Sequence, residues 1–442
     1  MKSLSIFASI MFFIVSQANS WAGTDQNAPK VVGSASFGGS GYDGASSIRV
    51  TPDNGYIAAG TSYSIDGDVK GSQAGNEDER SDIWVVKLDS SGEMEWQKSL
   101  GGAADESAAS ITLSPDGGYV VAGETASIDG DVEGNHGQID FWIVKLDSKG
   151  ALEWQKCLGG TKQDSARSIQ TTKDGGYIVA GVTNSSDGDV NGLHGDQNAE
   201  DFWVVKLDAQ GLIEWEKTLG SSHEDAAYSV RQTKDGGYVV AGMVGFKDGD
   251  VSSFHGNYDA WVAKLDSEGK LEWERTFGGS SAERAMSIDE TTDGGYVFAG
   301  VSAGADGDVD KEFGAADYWV VKLNSQGEIE KTKVLGGSDS DIPRSARQTP
   351  DGGYLVVGET SSNDGDVTKN YGWTDFWAVK LDSNLDLEWQ KSYGGSGYDE
   401  AYDFDVDGSG YIVAGASVSD DHDARRNNGD YDFLALKLQQ GN

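Results

Sequence analysis

The chain has 442 residues, of which 37% are hydrophobic and 10% aromatic, with 13 Trp, 62 Gly and 5 Pro, and its formal charge is −39. That charge excludes a nucleic-acid or anionic-membrane surface spread over the molecule, because such a surface repels polyanions. Cys157 is the single cysteine, so an internal disulfide is excluded as well, and it replaces the Ser found at Ser99 in the preceding copy of its segment.

The N-terminus reads as an export signal over residues 1–22. Lys2 is followed by an apolar run, Leu4 to Val15, and by small residues around Ala18-Asn19-Ser20 or Ser20-Trp21-Ala22. The run is too short to span a bilayer comfortably. The expected product is a monomer, residues 23–442, that inserts in no membrane and sits in the periplasm, on the cell surface or outside the cell.

From there the chain repeats itself. A Gly-Tyr-apolar segment recurs with its tyrosine at Tyr56, Tyr119, Tyr177, Tyr238, Tyr296, Tyr354 and Tyr411. A second marker of the type Asp-aromatic-Trp-Val-x-Lys-Leu begins at Asp82, Asp140, Asp201, Asp259, Asp317, Asp375 and, weakened, Asp432. A third, Glu-Trp-Gln-Lys, places Trp96, Trp154, Trp215, Trp273 and Trp389, with Lys331 in the fifth copy. In the second copy the strand-like runs are Ala109–Thr112, Tyr119–Thr125, Asp140–Asp147 and Leu152–Leu158. Ser-Pro-Asp-Gly-Gly and Asp-Ser-Lys-Gly supply the hairpin turns. Trp142, Val144 and Leu146 alternate with Ile143, Lys145 and Asp147, which is strand periodicity.

Four antiparallel strands per copy and seven copies predict an all-β, seven-bladed β-propeller. The last copy stops after its third strand. Lys30–Phe37 matches the fourth strand of the other copies, so it is expected to complete the last blade and close the ring, removing open sheet edges. The recurrent tryptophans Trp84, Trp142, Trp203, Trp261, Trp319 and Trp377 read as packing between blades.

In this architecture the long connections share one face, and long loops on a rigid frame are where binding sits. They carry Asp-Gly-Asp-Val at Asp66/Asp68, Asp129/Asp131, Asp187/Asp189, Asp248/Asp250, Asp306/Asp308 and Asp364/Asp366, while the seventh has Asp420, Asp421 and Asp423 without the pattern. Two carboxylates flanking a glycine suit one hard cation, with Ca²⁺ the expected one. The alternative is an Asx-turn that caps backbone. A second acidic series, Asp43, Glu106, Asp164, Asp225, Glu283, Asp341 and Asp399, lies in the links between blades. It is expected either as a ring at the channel mouth that takes a ligand, or as acceptors of backbone N–H groups from the neighbouring blade. His136, His194 and His255 occupy similar loop places on different blades, which disfavours a shared metal. Trp373 falls outside the repeat and is the candidate for an exposed ligand contact. Glu77-Asp78-Glu79-Arg80, Glu200 and Arg425-Arg426 also depart from it.

The strings Asp116-Gly-Gly-Tyr-Val-Val-Ala-Gly123, Asp129-Gly-Asp-Val132 and Asp140-Phe-Trp-Ile-Val-Lys-Leu-Asp147 resemble a family of exported bacterial repeat proteins, over about residues 30–438. The resemblance implies a cell-surface, secreted or lipoprotein-type setting. Some members carry an endoglucanase label, but no catalytic motif maps onto this chain. The expectation is a binding or scaffold module for a protein or polysaccharide, with Ca²⁺ assisting. The alternatives are a glycoside hydrolase using carboxylates at the channel mouth and a purely structural envelope protein.

Overall fold

The computed structural model describes residues 27–73, 80–195, 199–408, 410–424 and 426–440. The leader and the departures at Glu77, Asp78, Glu79 and Arg425 lie outside the described residues. Every sheet has four antiparallel strands, and there are seven sheets. Six of them run in chain order from the inside outward; the second blade, for example, is Glu106–Leu113, Tyr119–Thr125, Asp140–Leu146 and Leu152–Leu158. The inner strands of consecutive blades touch one another and surround a central channel. No helix among the described residues is long and apolar enough to cross a membrane.

The seventh blade is closed as expected. Lys30–Phe37 pairs antiparallel with Asp432–Gln439, with Lys30 opposite Gln439 and Phe37 opposite Phe433. The Phe37 and Phe433 rings stack at 6.1 Å, and Trp84 of the first blade packs edge-on against Phe433. The Phe433–Trp84 contact is the one that joins ordinary neighbouring blades, as in Phe141 on Trp203 at 4.6 Å, Phe202 on Trp261 at 4.8 Å and Tyr318 on Trp377 at 4.5 Å.

Two details differ from the reading of the sequence. The alternation in Asp140–Leu146 suggests one polar face, yet every residue of this strand is buried and Lys145 is 2% exposed. The strand lies between two neighbouring blades, so both of its faces are interior. Lys145 escapes an unpaired burial by reaching out along the strand, where its Nζ meets Asp116 at 3.0 Å, Glu153 at 2.7 Å and the Leu146 carbonyl at 3.1 Å. The inner strand also begins three residues before Ala109, at Glu106. A β-bulge between Ala108 and Ser110 breaks the period of two and hides that start. The bulge recurs in every inner strand and turns two successive residues, such as Ala109 and Ser110, toward the channel.

Candidate functional site

The long-loop face is built on seven repeated clasps. Asp129 Oδ1 accepts the Ala103 N–H at 2.8 Å, the Asp131 N–H donates to the Gly101 carbonyl at 2.8 Å, and the Val132 N–H closes a turn onto the Asp129 carbonyl at 3.1 Å. The loop of one blade thereby grips the link that enters that blade. Asp66, Asp187, Asp248, Asp306 and Asp364 accept the equivalent N–H groups of Ser40, Thr161, Ser222, Ser280 and Ser338 at 2.7–2.8 Å. The second aspartates make longer contacts: Asp68, Asp189, Asp250, Asp308 and Asp366 accept a link glycine N–H at 3.2–3.4 Å, while Asp131 accepts the Gln73 amide at 2.6 Å. Gly130 has φ +69°, and a Cβ there would lie 2.3 Å from the Gly101 carbonyl oxygen. The seventh loop makes the same clasp without the glycine. Asp421 accepts the Ser396 N–H at 2.7 Å, the Asp423 N–H donates to the Gly394 carbonyl, and His422 takes the glycine's place at φ +51°. Among the described residues no group of three or more His, Cys, Asp or Glu side chains is arranged to hold a metal ion.

The acidic series of the links does not ring an open mouth. Asp43, Glu106, Asp164, Asp225, Glu283, Asp341 and Asp399 are all 0–1% exposed. Each accepts N–H from its own link rather than from the neighbouring blade, and is held further by its own blade: Glu106 takes Gly102 N–H at 2.8 Å, the Thr125 hydroxyl at 2.7 Å and Ser127 N–H at 3.2 Å. Across the first glycine of each link stands a second buried carboxyl, the aspartate that opens the third strand of the preceding blade. A Cβ on Gly101 would lie 2.2 Å from Asp82 Oδ1 and 2.5 Å from Glu106 Oε2, and the link at Gly336 brings Asp317 and Asp341 together likewise. Burial raises these acids, and in Glu106, Asp317, Asp375 and Asp432 the carboxyl across the glycine raises them further. Asp375 is pushed up to about 7, and Asp317 and Asp432 to about 6. Asp225 also reaches about 7, chiefly through burial, with Asp201 adding to it. The loop histidines cap this second series: Nδ1 of His136, His194 and His255 lies 2.7–2.8 Å from Asp140, Asp201 and Asp259. Cys157 is buried, which pushes its thiol up to about 12 and leaves it unreactive.

Part of the long-loop face presents aromatic rings outward. Trp373 is 69% exposed and stacks on Tyr398, 43% exposed, with centroids 6.1 Å apart and planes 14° apart. Tyr398 adjoins Tyr431, whose ring meets Tyr42 at 5.3 Å, and Tyr42 meets Tyr63 edge-on at 6.1 Å. Tyr42 also touches Tyr402 at the channel. A crescent of six aromatics therefore runs over blades six, seven and one and turns into the channel. Trp373 alone signalled it in the sequence, because the tyrosines lie far apart in the chain. Arg426, another departure from the repeat, pairs with Asp68 at 3.3 Å.

No family model matches the chain. It is 25% identical over 374 residues to the Regulatory protein FlaEY of Caulobacter vibrioides, covering 73% of this chain and 38% of that protein. The chain thus spans well under half of that relative's length. Among solved structures it is similar to the Pan2 WD40 domain of Neurospora crassa, with a TM-score of 0.50 and 11% identity over 95% of this chain and 99% of that one. It is also similar to a protein of unknown function from Bacteroides caccae, with a TM-score of 0.40 and 12% identity over 70% of this chain and 89% of that one. The Pan2 likeness is one of fold, a ring of blades, and carries nothing about activity.

Proposed function

We propose that this propeller is an exported, non-catalytic binding module that takes a polysaccharide chain on its long-loop face. One observation carries the reading: the exposed, stacked Trp373–Tyr398 pair and its continuation through Tyr431, Tyr42 and Tyr63. Trp373, Tyr398 and Tyr63 leave large amphipathic rings in water on the face that holds the long loops, and such rings suit stacking against sugar faces. The acids buried in the links are engaged by hydroxyls and N–H groups of the fold, which argues for a holding surface over one that cleaves. A regulatory role, as named for the Caulobacter protein, is compatible with binding. The leader and the likeness to exported repeat proteins support a site of action beyond the cytoplasm.

Affinity electrophoresis through gels containing neutral polysaccharides tests the reading. Retardation of the wild type is expected, with Trp373→Ala and Tyr398→Ala each restoring free migration while leaving the melting temperature unchanged. Equal migration of all three proteins in every gel overturns the polysaccharide reading. Capture of a protein from envelope extract, lost in the same variants, redirects it to a protein ligand.

A further inference from the structure

The chain is strongly acidic, yet its channel is lined with arginine. Six of the ten arginines in the sequence, Arg49, Arg167, Arg231, Arg284, Arg344 and Arg347, stand on the innermost strands, and those strands hold no lysine. They are unevenly spread over the blades: the place shared by Arg49, Arg231 and Arg347 holds Thr, Gln or Asp in the others, and the place shared by Arg167 and Arg344 holds Ser, Ala, Tyr or Met. A polar cavity of about 100 Å³ opens within the channel, and four of these arginines line it against a single acid, Asp403.

Their partners are unequal. Asp403 lies between Arg49 and Arg347, 2.9 Å from the latter, and Asp405 takes Arg347 at 2.9 Å. Arg344 pairs with Glu359 at 3.0 Å. Among the described residues Arg231 and Arg167 form no ion pair. Arg231 donates to its neighbour's carbonyl, Val230 O, at 2.9 Å. Burial, with Arg347 and Arg49 nearby, lowers its pKa to about 10, against the pull of Asp289. A guanidinium placed beside other guanidinia, with one acid in the cavity, is a site short of negative charge.

Hydroxyls complete the lining. The bulge presents a serine from six blades at one level, with Asp403 in the seventh place. Ser168 and Ser229 accept N–H bonds from Val230 and Ile288 of the next blades, at 3.2 and 3.3 Å, which leaves their own protons to donate. We propose that the channel is a binding site for an oxyanion, a carboxylate, sulfate or phosphate group, held by Arg167 and Arg231 and by the serine hydroxyls between their levels. Arginine's fork matches the two oxygens of such a group, and the acidic exterior confines the attraction to the channel. The site meets the inner end of the aromatic crescent at Tyr402, but its ligand and its test do not depend on the crescent.

Calorimetric titration of the whole protein in 0.1 M NaCl tests this with sulfate, inorganic phosphate and glucuronic acid as probes. Saturable binding at one site is expected for at least one of them. Arg231→Gln and Arg167→Gln are each expected to weaken it tenfold or more, whereas Arg275→Gln, on an outer strand, leaves it unchanged. Binding of sulfate or phosphate points to a free inorganic anion, and binding of glucuronic acid alone to an acidic sugar. Melting provides a second reading. In anion-free buffer Arg231→Gln is expected to melt no lower than wild type, because it removes a half-buried charge that has no ion pair, yet to lose the rise that the anion gives the wild type. Absence of binding by all three probes, or binding indifferent to both channel variants, overturns the proposal.

Discussion

Asp225, Asp375, Asp317 and Asp432 hold their protons in the fold up to a pH of about 6 to 7, whereas an unfolded aspartate releases its proton near 3.8. A folded pKa above the unfolded one gives stability that is complete below the unfolded value and is lost as pH rises through the folded value. Asp53 runs the other way: the Thr51 hydroxyl, against a burial penalty, and then Lys87 hold it down to about 2. Its contribution is present above 3.8 and lost as pH falls toward 2. The melting temperature is therefore expected to peak near pH 4, to fall as pH rises from about 4 to about 7, and to level off above that. A profile flat from 5 to 8 would show that the link carboxyls ionise without penalty. At the same scale, Trp142 is fully buried between blades, so Trp142→Ala is expected to cost about 3–5 kcal/mol, read from urea unfolding. That tryptophan was legible as packing in the sequence. The carboxyl pairs were not, because Asp82 and its equivalents served only as repeat markers, and pairing them with the link acids requires knowing that adjacent blades meet at the glycine.

The clasp is the element that repeats most faithfully. Gly130 lies in the left-handed region with a carbonyl 2.3 Å from where its Cβ would stand. Gly130→Ala is thus expected to cost about 1–3 kcal/mol, through strain and loss of the grip on the Gly101 link. The first aspartate of each clasp already has its N–H partner, so the clasp closes without a cation. Melting curves in EDTA and in millimolar Ca²⁺ are expected to coincide. A Ca²⁺-specific rise that vanishes in the Asp129→Asn, Asp131→Asn double variant would make these loops calcium ligands instead. The hairpin turns and third and fourth strands could be bounded from periodicity and turn residues alone. The inner strand could not, since its bulge interrupts the pattern. The seventh clasp was hidden because Asp421-His422-Asp423 puts a histidine where the pattern asks for glycine.

For the molecule as a whole, the count of seven and the identity of the closing strand were readable from spacing, because duplication writes the architecture into the chain seven times. The channel arginines and the aromatic crescent were not. Both vary from blade to blade rather than following the repeat, and only the ring brings their members together. Removing residues 1–37 is expected to leave the Asp432–Gln439 strand with an open edge, seen as association in gel filtration and loss of a single cooperative unfolding transition. The closing strand has one more consequence, and it concerns time. Ser34 bonds to the carbonyl of Asp423, 389 residues further on. The first strand to leave the ribosome must therefore wait for the last. Blades one to six can form from neighbouring sequence as they emerge, but the ring is a gapped arc until Asp432–Gln439 has been made. The slowest step of folding is then expected to be the meeting of the two ends, and the chain to be most vulnerable to proteolysis and mispairing just before it is complete.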